Sequence, residues 1–517
     1  MEKKIGKLKI QKSTLYYVIF LILFGIIFFS YNITLTWDSS EYIGLGDFIG
    51  TDSMKSKWIG HRGIMFPLLI RLTRPNGIAN QFFMLILMYI FFIIMTYNIY
   101  KIYLKFKEEK VFDKYDTCIY FLWTFLFIII NPLIFGYFHT VLTEFVGLTV
   151  AIQIAFLCWK WLYLSWKDNK KEIILYCIYF SILTMFIYHI KQSLVPITLV
   201  PILFSSLISI IREWNLKNFL TRFLTFLVVV ITLITSIIIW NFYMKEAKTQ
   251  EDTENVRIKN RLIIGICELK KVCTNEDINE KILEDTNLKD LEISNEYEKY
   301  TIYKNSKNRY FIFYSNDDYS TKEQIKFYFE VLFKSPGDVI KSYRYNYWKE
   351  MFINENRKLT RAEENAVIPI ITYLGKYNAQ EPNPEFIDFT MQYLIVNKGN
   401  PIKNMFNVTV RLRYFMNAFT KITLYIQPLL LLVLFIIYLI TRKKINKSNI
   451  KLLEFICILY AQSFGIIMAY VVFGQIIDRY FIPATISNYI ADVLLIIFIK
   501  KLFEENKMQK NLIKVNK

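Results

Sequence analysis

The chain has 517 residues, 54% of them hydrophobic and 17% aromatic, with a formal net charge of +19. A soluble chain of this length would divide into several cores; here the apolar residues come in runs of about 18–25, long enough as helices to cross about 30 Å of hydrocarbon. The cations lie in short segments between those runs, as in loops facing anionic lipid, so a polytopic membrane protein is expected and nucleic acid is excluded as the partner.

At the N-terminus, Lys3, Lys4, Lys7, Lys9 and Lys12 precede an apolar stretch over 16–30 with no small-residue cleavage site after it, which predicts an uncleaved first helix. Apolar runs follow near 14–36, 79–100, 117–135, 144–165, 173–189, 193–211, 219–243, 418–440, 452–473 and 480–499, predicting ten transmembrane helices. Segments 101–114, 167–171, 212–222, 442–451 and the tail from Lys500 are rich in Lys and Arg. The intervening short loops are poor in them: 136–143 has none, 188–193 has Lys191 and 473–479 has Arg479. This asymmetry places both termini in the cytoplasm of a multi-pass cell-membrane protein.

The expected organisation is a seven-helix module over 1–243, an extracytoplasmic domain over 244–416 and a three-helix module with a cytoplasmic tail over 417–517. The fold class is all-α and polytopic, with about ten transmembrane helices and one small mixed outer domain. Within that domain 321–333 has helical periodicity, and the acidic stretch 278–300 reads as a solvated helix. Ser335-Pro336-Gly337-Asp338 reads as the start of another helix over 339–352. The aromatics and cations of that last helix suit either the membrane interface or inward packing. Cys118, Cys158, Cys177 and Cys457 belong to apolar helices and read as core residues. Cys267 and Cys273 could form a local disulfide outside the cytoplasm.

Loop 37–78 is exceptional. It faces the side where cations are disfavoured, yet it carries Lys55, Lys57, Arg62, Arg71 and Arg74, and binding an anion there is the simplest reason. Ionisable groups gather at that side of the membrane: Asp38, Glu41, Asp47, His61, Arg62, His139, Glu144, His189, Lys191, Asp478 and Arg479, with all three histidines among them. Polar groups at membrane depth are costly and mark functional surfaces. Their concentration at the outer ends of the helices favours an enzyme over a transporter, which needs polar residues along a path through the bilayer.

Asp38 can be a general base or a helix cap. Arg62, beside an apolar stretch over 64–70 that is too short to span and is broken by Pro67, can hold a phosphate with two N–H groups. Thr143 can cap the fourth helix, with Glu144 favoured by its positive end, or Glu144 can face Asp38 across a cavity. A divalent metal held by Asp38, Glu144, His61 and His139 is conceivable, although no short ligand spacing supports it; no other cofactor is expected. No Gly-rich phosphate loop, nucleophile elbow or HExxH motif is present.

Asp38, Tyr42, Arg62 and Pro67 in the first loop, Thr143-Glu144, Lys191-Gln192, Ser335-Pro336, and Arg479-Tyr480 followed by Pro483 resemble, in order and topology, the GT-C superfamily of membrane glycosyltransferases. That family includes protein O-mannosyltransferases and lipid A aminoarabinose transferases. Its members often have an acid directly after the first one; this chain has Ser39 there and Glu41 two residues later. The resemblance implies an inverting transfer from a polyprenyl-phosphate sugar to a glycan, lipid or protein acceptor outside the cytoplasmic membrane. It implies Asp38 as the catalytic base, with Tyr42, Arg62, Glu144, Lys191, Arg479 and Tyr480 around the substrate; Glu41 as a second catalytic acid, and His61 and His139 beside the substrate, are expected from their place on the same face. A flippase for a lipid-linked sugar and a polymerase or ligase with a lipid-diphosphate donor are the alternatives.

Overall fold

The computed structural model describes residues 12–29, 33, 37–58, 62–73, 81–164, 169–244, 300–304, 310–314, scattered positions between 329 and 347, and then 410–443, 445–473 and 481–515. Fourteen helices carry the description: α1 (Lys12–Phe29), α2 (Trp37–Phe48), α3 (Met54–Lys57), α4 (Met65–Leu72), α5 (Gln81–Glu108), α6 (Lys114–Ile130), α7 (Pro132–Tyr137), α8 (Glu144–Leu162), α9 (Lys170–Ile190), α10 (Pro196–Arg212), α11 (Leu216–Tyr243), α12 (Val410–Thr441), α13 (Lys447–Phe473) and α14 (Ile482–Val515). A two-stranded antiparallel hairpin, Tyr300–Lys304 with Tyr310–Tyr314, lies in the region expected to form the outer domain.

Eight of the described helices are long and apolar enough to cross a bilayer, which makes the chain a multi-pass membrane protein: α5 and α8 to α14. Two of the ten predicted spans are not among them. Of the run over 14–36 the described helix is Lys12–Phe29, and the run over 117–135 is cut after Ile130. The break falls at Asn131-Pro132. Pro disfavours helical backbone at the residue before it, and a new helix, α7, starts with Pro132 at its first position.

Helix α8 is the centre of the bundle. In its most apolar stretch 83% of the residues are buried, against 22% for α11 and for α12. It packs against α5, α9, α10, α13 and α14, while α12 leans on α13, and α11 on α9 and α10. A helix that is hydrophobic all round either sits in such a core or faces lipid; α11 does the latter along Ile231, Ile234, Ile238 and Ile239. Lipid tails are as apolar as Leu, so close packing and hydrogen bonds must hold these helices together. Gly147 of α8 lies against Pro483 of α14, and Gly465 of α13 against Val200 of α10, where an added Cβ would come within 2.5–2.9 Å of three valine carbons.

Hydrogen bonds add the second kind of contact. The Gln462 side-chain N–H donates to the carbonyls of Ala151 (3.0 Å) and Ile197 (2.7 Å), while its Oε1 accepts from Ser487 Oγ (2.8 Å), so one residue of α13 ties α8, α10 and α14. At the C-terminus of α8 the unpaired carbonyls are covered by arginines. Arg222 donates to Trp161 (2.9 Å) and Leu164 (2.7 Å), and Arg212 donates to Leu162 (2.9 Å). The polar groups are therefore not confined to one end, as the sequence led us to expect. Gln462, Asp492 and Glu454 stand inside spans, and Glu454 accepts from the hydroxyls of Tyr163 and Tyr438.

Of the helix expected over 339–352, the described residues between 339 and 347 pack inward on one face. Its described residues are helical, Pro336 and Gly337 before it included. Val339 and Tyr347 are buried and Tyr343 is half-buried, one turn apart, whereas Ile340, Lys341 and Arg344 are exposed. Tyr347 Oη donates to the Leu424 carbonyl of α12 (2.9 Å), and its ring lies 6.1 Å from Phe464 of α13. Of the four described cysteines, Cys158 and Cys457 are buried as expected, Cys177 is half-buried, and Cys118 is exposed on α6. Cys267, Cys273 and the acidic stretch 278–299 lie outside the described residues.

The Gly465–Val200 approach yields a stability test. Valine is stiff at χ1 in a helix, so Gly465→Ala should destabilise the protein by about 1–3 kcal/mol through overpacking. Thermal unfolding of the purified protein in detergent, with wild type beside it, measures this.

Candidate functional site

The described residues between α1 and α5 include three short helices. α4, eight residues long, rises about 12 Å and cannot span. Its Pro67 falls in the first turn, where a helix has N–H groups without partners anyway, so the proline breaks nothing. Phe66, Pro67 and Ile70 are its buried face, and it packs on α2 and α9. Gly46 makes the α2–α4 approach possible: a Cβ there would lie 3.1 Å from the Pro67 carbonyl oxygen. Ser39 Oγ donates to the Val141 carbonyl (2.9 Å) and pins α2 to the loop before α8.

Glu41 and Tyr42 lie next to each other on α2 and both meet Arg62. Arg62 Nε donates to Glu41 Oε1 (3.0 Å) and Nη2 to Oε2 (2.9 Å), a two-pronged pair in which the arginine side chain is 13% exposed and the glutamate 3%. Nη1 donates to Tyr42 Oη (2.7 Å), and the guanidinium carbon lies 4.8 Å from the centre of the Tyr42 ring. Trp58 Nε1 donates to the Arg62 carbonyl (2.8 Å), which fixes the backbone as well. The next residue must be glycine: a Cβ at Gly63 would overlap the His189 carbonyl.

That contact brings the end of α9 to the first loop. Lys191, just past α9, pairs with Glu144 Oε1 at 3.4 Å, with side chains 13% and 2% exposed. The expected Thr143 cap is absent; Thr143 has helical backbone and its hydroxyl donates to Glu144 Oε2 (3.3 Å). The Glu144 carboxylate stands in the first turn of α8, where the helix dipole favours it. An aromatic bridge joins the two ion pairs: Tyr42 to Phe66 at 4.7 Å and Phe66 to Phe145 at 5.8 Å. Glu41, Tyr42, Arg62, Glu144 and Lys191 thus occupy one end of the bundle.

The other expected residues divide. Asp38 is the second residue of α2, one turn before Glu41 and Tyr42 and not at the end of the first helix as the apolar run indicated; its side chain lies outside the described residues. His61, Arg479 and Tyr480 lie outside them too, as does Asp478. His139 is turned inward, 3% exposed, with Nδ1 at 3.0 Å from the Phe135 carbonyl and Nε2 at 3.0 Å from the Phe28 carbonyl. Burial pushes its pKa down, against the pull of the two carbonyls. It joins the last turns of α1 and α7 and holds the loop that precedes Glu144. Among the described residues no group of three or more His, Cys, Asp or Glu could hold a metal ion.

Sequence reasoning missed the supports. Trp58 and Trp240 meet edge to face at 5.8 Å, and His189 lies 5.4 Å from Trp240 with Nε2 at 2.9 Å from Ser236 Oγ. Trp58 stood in a loop already singled out and could have been flagged there; its pairing with a residue of α11 leaves no local signal.

Glu41 and Arg62 lend themselves to a double-mutant cycle. Removing one partner of a buried pair strands the other charge and costs about 3–5 kcal/mol. Glu41→Ala and Arg62→Ala should each destabilise by about that much, and the double variant should lose much less than the sum. Thermal unfolding of the four proteins reads the coupling; strict additivity would show that the pair is not formed.

No family model, no curated protein and no solved structure matches this chain.

Proposed function

We propose that the chain is an inverting glycosyltransferase that moves a sugar from a polyprenyl-phosphate donor to an acceptor at the outer face of the cytoplasmic membrane. The observation that carries this reading is the meeting of two acid–cation pairs, Glu41–Arg62 and Glu144–Lys191, at one end of the bundle beside the start of α2. Residues 20 to 50 apart in sequence are folded together there, and cations at a membrane boundary are what a lipid phosphate needs.

In this reading the donor phosphate shares the guanidinium of Arg62 and the ammonium of Lys191, with Arg479 as a third cation and His61 and Tyr480 around the sugar. Asp38 takes the proton of the acceptor hydroxyl as its oxygen attacks the anomeric carbon. The bond from that carbon to the phosphate oxygen breaks through an oxocarbenium-like state, and the phosphate leaves with the bonding electrons. Glu41 and Tyr42 act as positioning residues, because their bonds to Arg62 fix where the phosphate can sit. Glu144 does the same for Lys191, and His139 holds the loop before it.

A transport reading draws on Asp492 and Gln462 within spans. Both are engaged in hydrogen bonds between neighbouring helices, Asp492 with Tyr460 (2.6 Å) and Gln462 with two backbone carbonyls, which is the pattern of packing contacts.

Asp38→Asn should keep the thermal unfolding midpoint and lower transfer by about a hundredfold to ten-thousandfold, measured with a radiolabelled lipid-linked sugar and the reconstituted protein. Near-full transfer by that variant would remove Asp38 as the base. Mass spectrometry of cell-envelope glycans with and without the protein should show one sugar missing. Movement of a lipid-linked sugar across vesicles without any acceptor would replace the enzyme reading by the transporter.

A further inference from the structure

A cavity of about 130 Å³ opens between α6, α12 and α14, away from the site described above. Its wall is formed by Trp123 and Thr124 of α6, Phe419 of α12, and Ile486, Tyr489, Ile490, Asp492, Val493 and Ile496 of α14; the Tyr489 hydroxyl is paired with Thr420. Ile486, Ile490 and Val493 form its buried floor; Trp123 and Ile496, 44% and 49% exposed, stand at the mouth. The one charged residue is turned aside, since the Asp492 carboxylate accepts from Tyr460 Oη (2.6 Å) and Asn488 Nδ2 (3.1 Å). What the cavity presents is hydrocarbon.

Its depth follows from the helices. The membrane-crossing part of α14 is Ile482–Glu505, 24 residues, and Val493 is the twelfth of them. A second measure agrees. Lys500 Nζ pairs with Asp116 Oδ1 at 2.9 Å, which sets α6 and α14 level at those residues. Thr124 on α6, eight residues after Asp116, and Asp492 on α14, eight residues before Lys500, each stand about 12 Å away along the helix axes, and both line the cavity. The mouth therefore opens near the middle of the hydrocarbon layer, which is about 30 Å thick.

Each leaflet contributes half of that thickness, so phospholipid acyl chains end at this depth. Water and headgroups do not reach it. A dry apolar cavity of about 150 Å³ accepts a ring of six carbons, so this one takes a chain end of about that size. We infer that the cavity between α6, α12 and α14 is a binding site for the terminal segment of a phospholipid acyl chain, which enters past Trp123 and Ile496 and packs on Ile486, Ile490 and Val493.

The test is photolabelling of the full protein in nanodiscs made with a phosphatidylcholine that carries a diazirine at the chain end. Adducts should form on 486–496 and on Trp123. Moving the diazirine to a carbon next to the headgroup should abolish labelling of 486–496 in the unaltered protein. Val493→Phe, which fills the floor, should lower that labelling about tenfold or more. Labelling of the lipid-facing residues Ile234 and Ile238 should stay unchanged. Equal labelling from both diazirine positions, or equal labelling of wild type and a folded Val493→Phe variant, would overturn the site. Displacement of the label by unlabelled polyprenyl phosphate at trace ratio would overturn the phospholipid as its occupant.

Discussion

A helix buried on every side must satisfy both of its ends from within the protein, and α8 is such a helix. Its C-terminal carbonyls take the N–H groups of Arg212 and Arg222, and the Arg222 guanidinium also stacks 4.2 Å above Trp161. Its N-terminus carries Glu144, answered by Lys191. Negative charge at the start and positive charge at the end match the helix dipole. The remaining helices take their places around this axis. α10 and α11 bring the arginines, α9 ends where Lys191 can reach Glu144, and α13 and α14 close the opposite side through Gln462 and Pro483.

The candidate site grows out of that N-terminal end. Charges partly withdrawn from water are costly unless paired, and both described cations of the site have carboxylate partners. Under the proposed transfer, a phosphate arriving there would share these cations with Glu41 and Glu144. Sharing makes binding selective for groups that fit beside the two-pronged pair with Glu41, since the fork of the guanidinium is fixed in its plane. It also gives Glu41 and Glu144 a role in the empty protein: they keep Arg62 and Lys191 in place without any ligand bound.

Much of the scaffold was legible in the sequence because its signal is local. Eight long helices coincide with apolar runs, and the Asn131-Pro132 break was there to be read from the rule for residues before proline. The inward packing of the 339–347 helix was also readable, from Val339, Tyr343 and Tyr347 at one-turn spacing. The site was legible only as a list. Glu41 and Arg62 are 21 residues apart, and Glu144 and Lys191 are 47 apart. Their pairing depends on Gly46, Gly63 and Phe66, whose significance appears only when α2, α4 and α9 are brought together. The mid-span polar groups were missed for a related reason. Gln462 and Asn488 look like faults in apolar runs until their partners on neighbouring helices are known.

These pairings change how the two acids of the first loop compare. From the sequence, Asp38 is the candidate base and Glu41, one turn on, a second loop acid without a fixed role. In the structure the two oxygens of Glu41 are each committed to a guanidinium N–H, so both are occupied in holding Arg62. A general base needs the opposite: a carboxylate whose proton affinity rises toward that of its target as the reaction proceeds. Glu41 therefore fits the task of aiming Arg62, and under the proposed transfer the base is sought elsewhere on the same helix. Asp38, one turn earlier and nearer the start of α2, is the acid at that position.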